Sequence, residues 1–127
     1  MSKFDLVLKG GHLVEPSEHI NSQKDIAFSD GKVVEISPQI SPRRAIKVVN
    51  VDHCFVTPGL IDLHTHVYWG GTSLGIDAEE FCRKSAVTTV IDTGSTGPGN
   101  FAGFKRHIIE KSKVNILAFL HISHAGI

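Results

Sequence analysis

Two imidazoles one residue apart, His64 and His66, are the side chains of this sequence best suited to chemistry. In an extended segment their Cα atoms lie about 6 to 7 Å apart, so both rings can converge on one cation. Neutral imidazole nitrogen is a borderline ligand that suits Zn²⁺ and similar divalent ions. Two ligands do not complete a site, and a bare His-x-His pair in a chain with eight histidines also arises from surface or core histidines. Tyr68 and Trp69 follow the pair directly and either wall a substrate pocket or pack in a loop core. Asp92 falls at the end of a later apolar run, where a carboxylate either faces the same rim or caps the following loop. His121 and His124 are read as satisfied or solvent-facing, and His12, His19, His53 and His107 as structural or surface residues. Gly94, Gly97 and Gly99 lack the lysine and spacing of a nucleotide loop and are read as a flexible active-site loop.

These residues need elements to hold them. Alternation along Leu60-Ile-Asp-Leu-His-Thr-His-Val67 predicts a strand with Asp62, His64 and His66 on one face and Ile61, Leu63, Thr65 and Val67 on the other. In a barrel the outward face packs on helices, so Ile61, Leu63 and Val67 are expected outward and the polar trio toward the axis. Asp77-Ala-Glu-Glu80 has the shape of a helix start, with Ala78, Phe81, Cys82 and Ala86 on one face. Val87 to Ile91 is β-branched almost throughout, as suits a strand covered on both faces. Phe101, Phe104 and Ile108 recur at helical spacing, and Asn115 to Ile122 reads as a third strand.

Before Thr57-Pro58-Gly59 the pattern is different. Gly10-Gly11 separates Asp5–Lys9 from His12–Glu15 as a turn between two short strands, and Asp30-Gly31 between two apolar runs predicts a hairpin. Residues 1–57 are therefore expected to form an antiparallel all-β lobe, and residues 58–127 the first strands and helices of a parallel α/β unit. A (β/α)₈ barrel takes about 250 residues. The 70 residues after Thr57 hold only three strands and two helices of one, so the chain reads as the N-terminal part of a longer polypeptide.

Composition narrows the partners. Thirteen Lys and Arg balance thirteen Asp and Glu, which gives no electrostatic footprint for nucleic acid or an anionic membrane. No apolar run approaches the roughly 20 residues that span a bilayer, and no signal-peptide core opens the chain. Two distant cysteines, Cys54 and Cys82, fit a reducing compartment, so a cytoplasmic protein is expected.

Pro58-Gly-Leu-Ile-Asp-Leu-His-Thr-His66, preceded by a β lobe with Asp30-Gly31-Lys32, resembles the opening of the amidohydrolase superfamily, metal-dependent hydrolases on a (β/α)₈ barrel with a β-sandwich. The continuation through Gly70-Gly-Thr72, Gly94-Ser95 and Gly99-Asn-Phe101 is similar to the dihydroorotase-like and deacetylase-like branch. The resemblance implies a small-molecule substrate and one or two divalent ions, Zn²⁺ foremost, in the full-length protein, with His64 and His66 binding the more buried ion and Asp62 supporting the pair from behind. The alternative for Asp62 is a buried carboxylate satisfied by backbone donors. It further implies hydrolysis of an amide or cyclic amide by metal-activated water, with the bridging lysine, the catalytic base and any homo-oligomer contacts supplied by the full-length parent. Esterase activity at the same site, or a non-catalytic assembly protein of the same architecture, are the alternative functions.

Overall fold

In the computed structural model, which describes residues 3–127, the chain divides into two compact units, with the division between Pro58 and Gly59. The first is built on strands β1 (Phe4–Glu15), β2 (Ile20–Ser29), β3 (Lys32–Ser37), β4 (Ala45–Asn50) and β5 (Phe55–Val56). Its sheet runs in the order β3-β2-β1-β4, with β5 also paired to β1. The Asp30-Gly31 hairpin forms as expected, because both residues take the positive φ, 51° and 70°, that a two-residue turn of this hand requires.

Two expectations for this unit are overturned. Gly10-Gly11 does not end a strand: β1 runs through it for 12 residues, and the register against β2 slips between Leu8 and Gly11. Gly10, at φ 81°, makes a bulge rather than a turn, since a bulge also needs one residue in the left-handed region. The lobe is also not purely antiparallel. β4 and β5 pair with β1 in parallel, because the chain crosses back past the 3₁₀ turn at Pro42–Arg44 instead of folding as successive hairpins. Val7 and Ala27 face each other across the β1–β2 ladder and are buried with Ile40 and Ala45.

Beside that small core lies a buried charge. Asp25 pairs with Lys9 and accepts from the main-chain amides of Gly10 at 2.9 Å and Ile40 at 2.7 Å. Burial works against the carboxylate, yet the lysine ammonium and the two amides together hold it below the usual aspartate range. The same lysine donates to the Ile40 carbonyl at 2.8 Å. One cluster thus ties three segments of the lobe together.

The second unit alternates β6 (Leu60–Thr65), α1 (Ala78–Ser85), β7 (Val87–Thr93), α2 (Phe101–His107) and β8 (Asn115–Phe119), with the three strands parallel in the order β6-β7-β8. Asp77 caps α1 by accepting from the Glu80 amide at 2.9 Å, and Glu79, Glu80, Arg83 and Lys84 sit at the ends the helix dipole favours. Ala78 and Cys82 of α1 and Phe104 of α2 pack with Val67, Val90 and Ile116 into one core on the helical side of the sheet. β8 stops at Phe119, earlier than expected, because the His121 amide bonds to the Thr96 carbonyl at 2.9 Å and leaves the β7 ladder. No helix among the described residues is long and apolar enough to cross a membrane.

Candidate functional site

The position of the histidines follows from two irregularities in β6. Against β7 the partners are Leu60↔Val87, Ile61↔Thr89, Asp62↔Val90 and Thr65↔Asp92. β7 therefore carries an extra residue before Thr89, and β6 carries one between Asp62 and Thr65. Each slip moves the following side chains to the opposite face of the sheet. Asp62 is thereby registered with Val90, which lies in the helix-packed core, and not with the two histidines as simple alternation predicts. The Cys82 thiol of α1 reports the same placement: burial pushes its pKa up, and the nearby Asp62 charge adds to the rise. Ile61 and Leu63, expected against helices, are instead 56% and 68% exposed, while Thr65 and Val67 are buried.

His64 and His66 do come together. Their rings meet edge to face with centroids 5.6 Å apart, His64 exposed and His66 half-buried just past the end of β6. The Asp62 carboxylate accepts from the His64 main-chain amide at 3.0 Å, so it braces the backbone of the pair rather than a ring. His66 Nδ1 lies 3.0 Å from Ser95 Oγ, which leaves Nε2 as the nitrogen of that ring without a partner among the described residues. A divalent ion fits such a donor set, since a ligating histidine engages an outer partner through its second nitrogen. Among the described residues no group of three or more His, Cys, Asp and Glu side chains is placed to hold a metal.

Asp92 is fully buried at the end of β7 and faces two amides: Oδ1 accepts from Ser95 at 2.8 Å and Oδ2 from Val67 at 2.8 Å. Its oxygens are spent on the main chain next to the histidines. Tyr68 packs its ring against Phe104 with centroids 5.0 Å apart. Trp69, 62% exposed, borders a cleft of about 160 Å³ that Val67, Ala78 and His107 also line, without either of the paired histidines.

The Gly94–Asn100 loop, expected to be flexible, is pinned. Residues 94–97 are buried, the Gly97 amide bonds to Asn100 Oδ1 at 3.0 Å, and the Gly99 amide bonds to the His124 carbonyl at 2.9 Å. His121 Nδ1 accepts from the Ser123 amide at 2.9 Å, a structural role. In the first unit, His12 Nε2 lies 2.7 Å from Asn21 Oδ1. Ser95 enters the sequence reading only within the Gly94-Ser95 stretch, with no role of its own. Its only local signal is its place one residue after Gly94, which takes φ 97° and so turns the chain back toward the end of β6.

No family model matches the chain. A deacetylase of Brucella anthropi is 36% identical over 111 residues, which cover 87% of this chain and 28% of that protein. A dihydroorotase of Citrifermentans bemidjiense is 29% identical over 118 residues, covering 90% of this chain and 28% of the relative. Among solved structures, a dihydroorotase superposes with a TM-score of 0.83 at 33% identity over 96% of this chain and 32% of its own. An adenine deaminase does so with a TM-score of 0.81 at 28% identity over 98% and 32%. The chain therefore spans under a third of the length of these relatives. A strand-dominated α/β chain carrying its paired histidines at the end of the first parallel strand, and alike in fold and sequence to those enzymes, belongs to the amidohydrolase superfamily.

Proposed function

We propose that His64 and His66 hold a divalent metal ion, zinc, within a hydrolase that cleaves a non-peptide C–N bond of a small cyclic amide or N-acyl compound. The observation that carries this reading is the edge-to-face approach of the two rings at 5.6 Å with the outer nitrogen of His66 already engaged. When bound, such an ion supplies Lewis acidity toward a substrate carbonyl and lowers the pKa of water. The chain's own residues position. Asp62 braces the His64 main chain, and the pinned loop after β7 stands beside His66. Ile61, Leu117 and Phe119 lie on the sheet face turned away from the helical core and offer apolar surface to a substrate there. The reading assigns the remaining ligands and the proton-handling base to sequence outside the described residues, in keeping with the 28% of the curated relatives that the chain spans. The free cysteines Cys54 and Cys82 support a reducing compartment, the cytoplasm.

The test is an assay of the full-length gene product against cyclic ureides and N-acyl amino acids before and after removal of metal by a chelator. Hydrolysis of at least one class is expected, lost on chelation and restored by Zn²⁺. Activity indifferent to chelation, or no hydrolysis by metal-replete protein across both classes, would overturn the proposal.

A further inference from the structure

The contacts around His66 form a closed circuit that neither histidine needs in order to approach the other. The ring is bonded to Ser95 Oγ at 3.0 Å. The Ser95 amide is bonded to one oxygen of Asp92, and the other oxygen of Asp92 holds the amide of Val67, the residue next to His66. One buried carboxylate therefore fixes both the main chain that carries the imidazole and the main chain that carries the imidazole's partner. Ser95 and Asp92 are both 0% exposed, so water does not compete for these bonds. The loop is braced from its far side as well: the His121 amide bonds to the Thr96 carbonyl, and a Cβ on Gly126 would come within 2.4 Å of the Ser95 carbonyl oxygen.

We propose that Ser95 is a positioning residue for His66, with Asp92 as its anchor; the inference rests on the metal-holding role proposed above for the histidine pair. A serine hydroxyl on a mobile loop would turn with the ring and select nothing. Held in place by Asp92, it favours one ring orientation and engages Nδ1, so that Nε2 is the nitrogen offered to a cation.

The experiment is a Co²⁺ titration of the metal-stripped full-length gene product, followed by visible absorption, for the wild type, Ser95→Ala, Thr96→Ala and the double variant His64→Ala/His66→Ala. Ser95→Ala keeps the main-chain bond to Asp92 and removes only the hydroxyl. It should bind Co²⁺ about 10- to 100-fold more weakly, with an altered absorption band and an unchanged urea midpoint. Thr96 is equally buried, and its Oγ1 has no hydrogen-bond partner among the described residues, so Thr96→Ala should bind as the wild type does. Wild-type affinity in Ser95→Ala, with binding lost in the double variant, would overturn the positioning role and leave the metal reading standing. Equal weakening by Thr96→Ala would overturn it too, by assigning the effect to loop packing. Binding that survives in the double variant would remove the metal reading and the inference with it.

Discussion

Asp92→Ala is expected to lower folding stability by about 4 kcal/mol, because it leaves two buried amides, those of Val67 and Ser95, without an acceptor at about 1–3 kcal/mol each. The loss is structural in origin, yet it lands beside the histidine pair, since the two freed amides flank His66 and its hydroxyl partner. Asp92→Asn keeps one acceptor and turns an NH₂ toward the other amide, so it should cost about half as much. Urea unfolding gives the magnitude, and hydrogen exchange gives the location: the Val67 and Ser95 amides should lose protection before the amides at the centre of the β7–β8 ladder. Unchanged protection at both would show that the carboxylate does not hold them.

Asp25→Asn is expected to cost about 3 kcal/mol at neutral pH, the low end for breaking a buried ion pair, because Lys9 keeps a quarter of its side chain in solvent. Its pH dependence has a definite sign. The folded-state pKa of Asp25 lies below its ordinary value, so the stabilisation is fully present above the unfolded value of about 4 and is lost as pH falls through the folded value. The gap between wild type and Asp25→Asn should therefore be constant from pH 7 to about 5 and close on further acidification. Hydrogen exchange at the Gly10 and Ile40 amides, which Asp25 accepts from, reads this without interference from the second unit. A gap that widens toward acid would contradict the account.

What was legible in the sequence is what local chemistry decides. Asp30-Gly31 could be read as a hairpin because the turn needs positive φ at both positions, and Asp77 as a helix cap because a short acceptor there reaches the Glu80 amide. The histidine pair was legible for a similar reason, since its spacing alone brings two rings near one another. The features that escaped depend on partners distant in sequence. Nothing near Gly10 distinguishes a bulge in one long strand from a turn between two, and only the pairing with β2 settles it. The parallel return of β4 and β5 to β1 is likewise a property of the crossover and not of either strand. Alternation placed Asp62 with the histidines because it assumes an unbroken ladder; the two slips against β7 remove that assumption. The role of Ser95 was not legible because it is a contact with a residue 29 positions earlier.

Metal analysis of the purified full-length gene product, wild type against His64→Ala/His66→Ala, tests the central claim most directly. The account predicts bound divalent metal in the wild type and its loss, at least in part, from the double variant, with the metal-free fold losing no more than the contact between the two rings and the single bond of His66 to Ser95 Oγ. Equal metal content in the two proteins, or none in either, would contradict it.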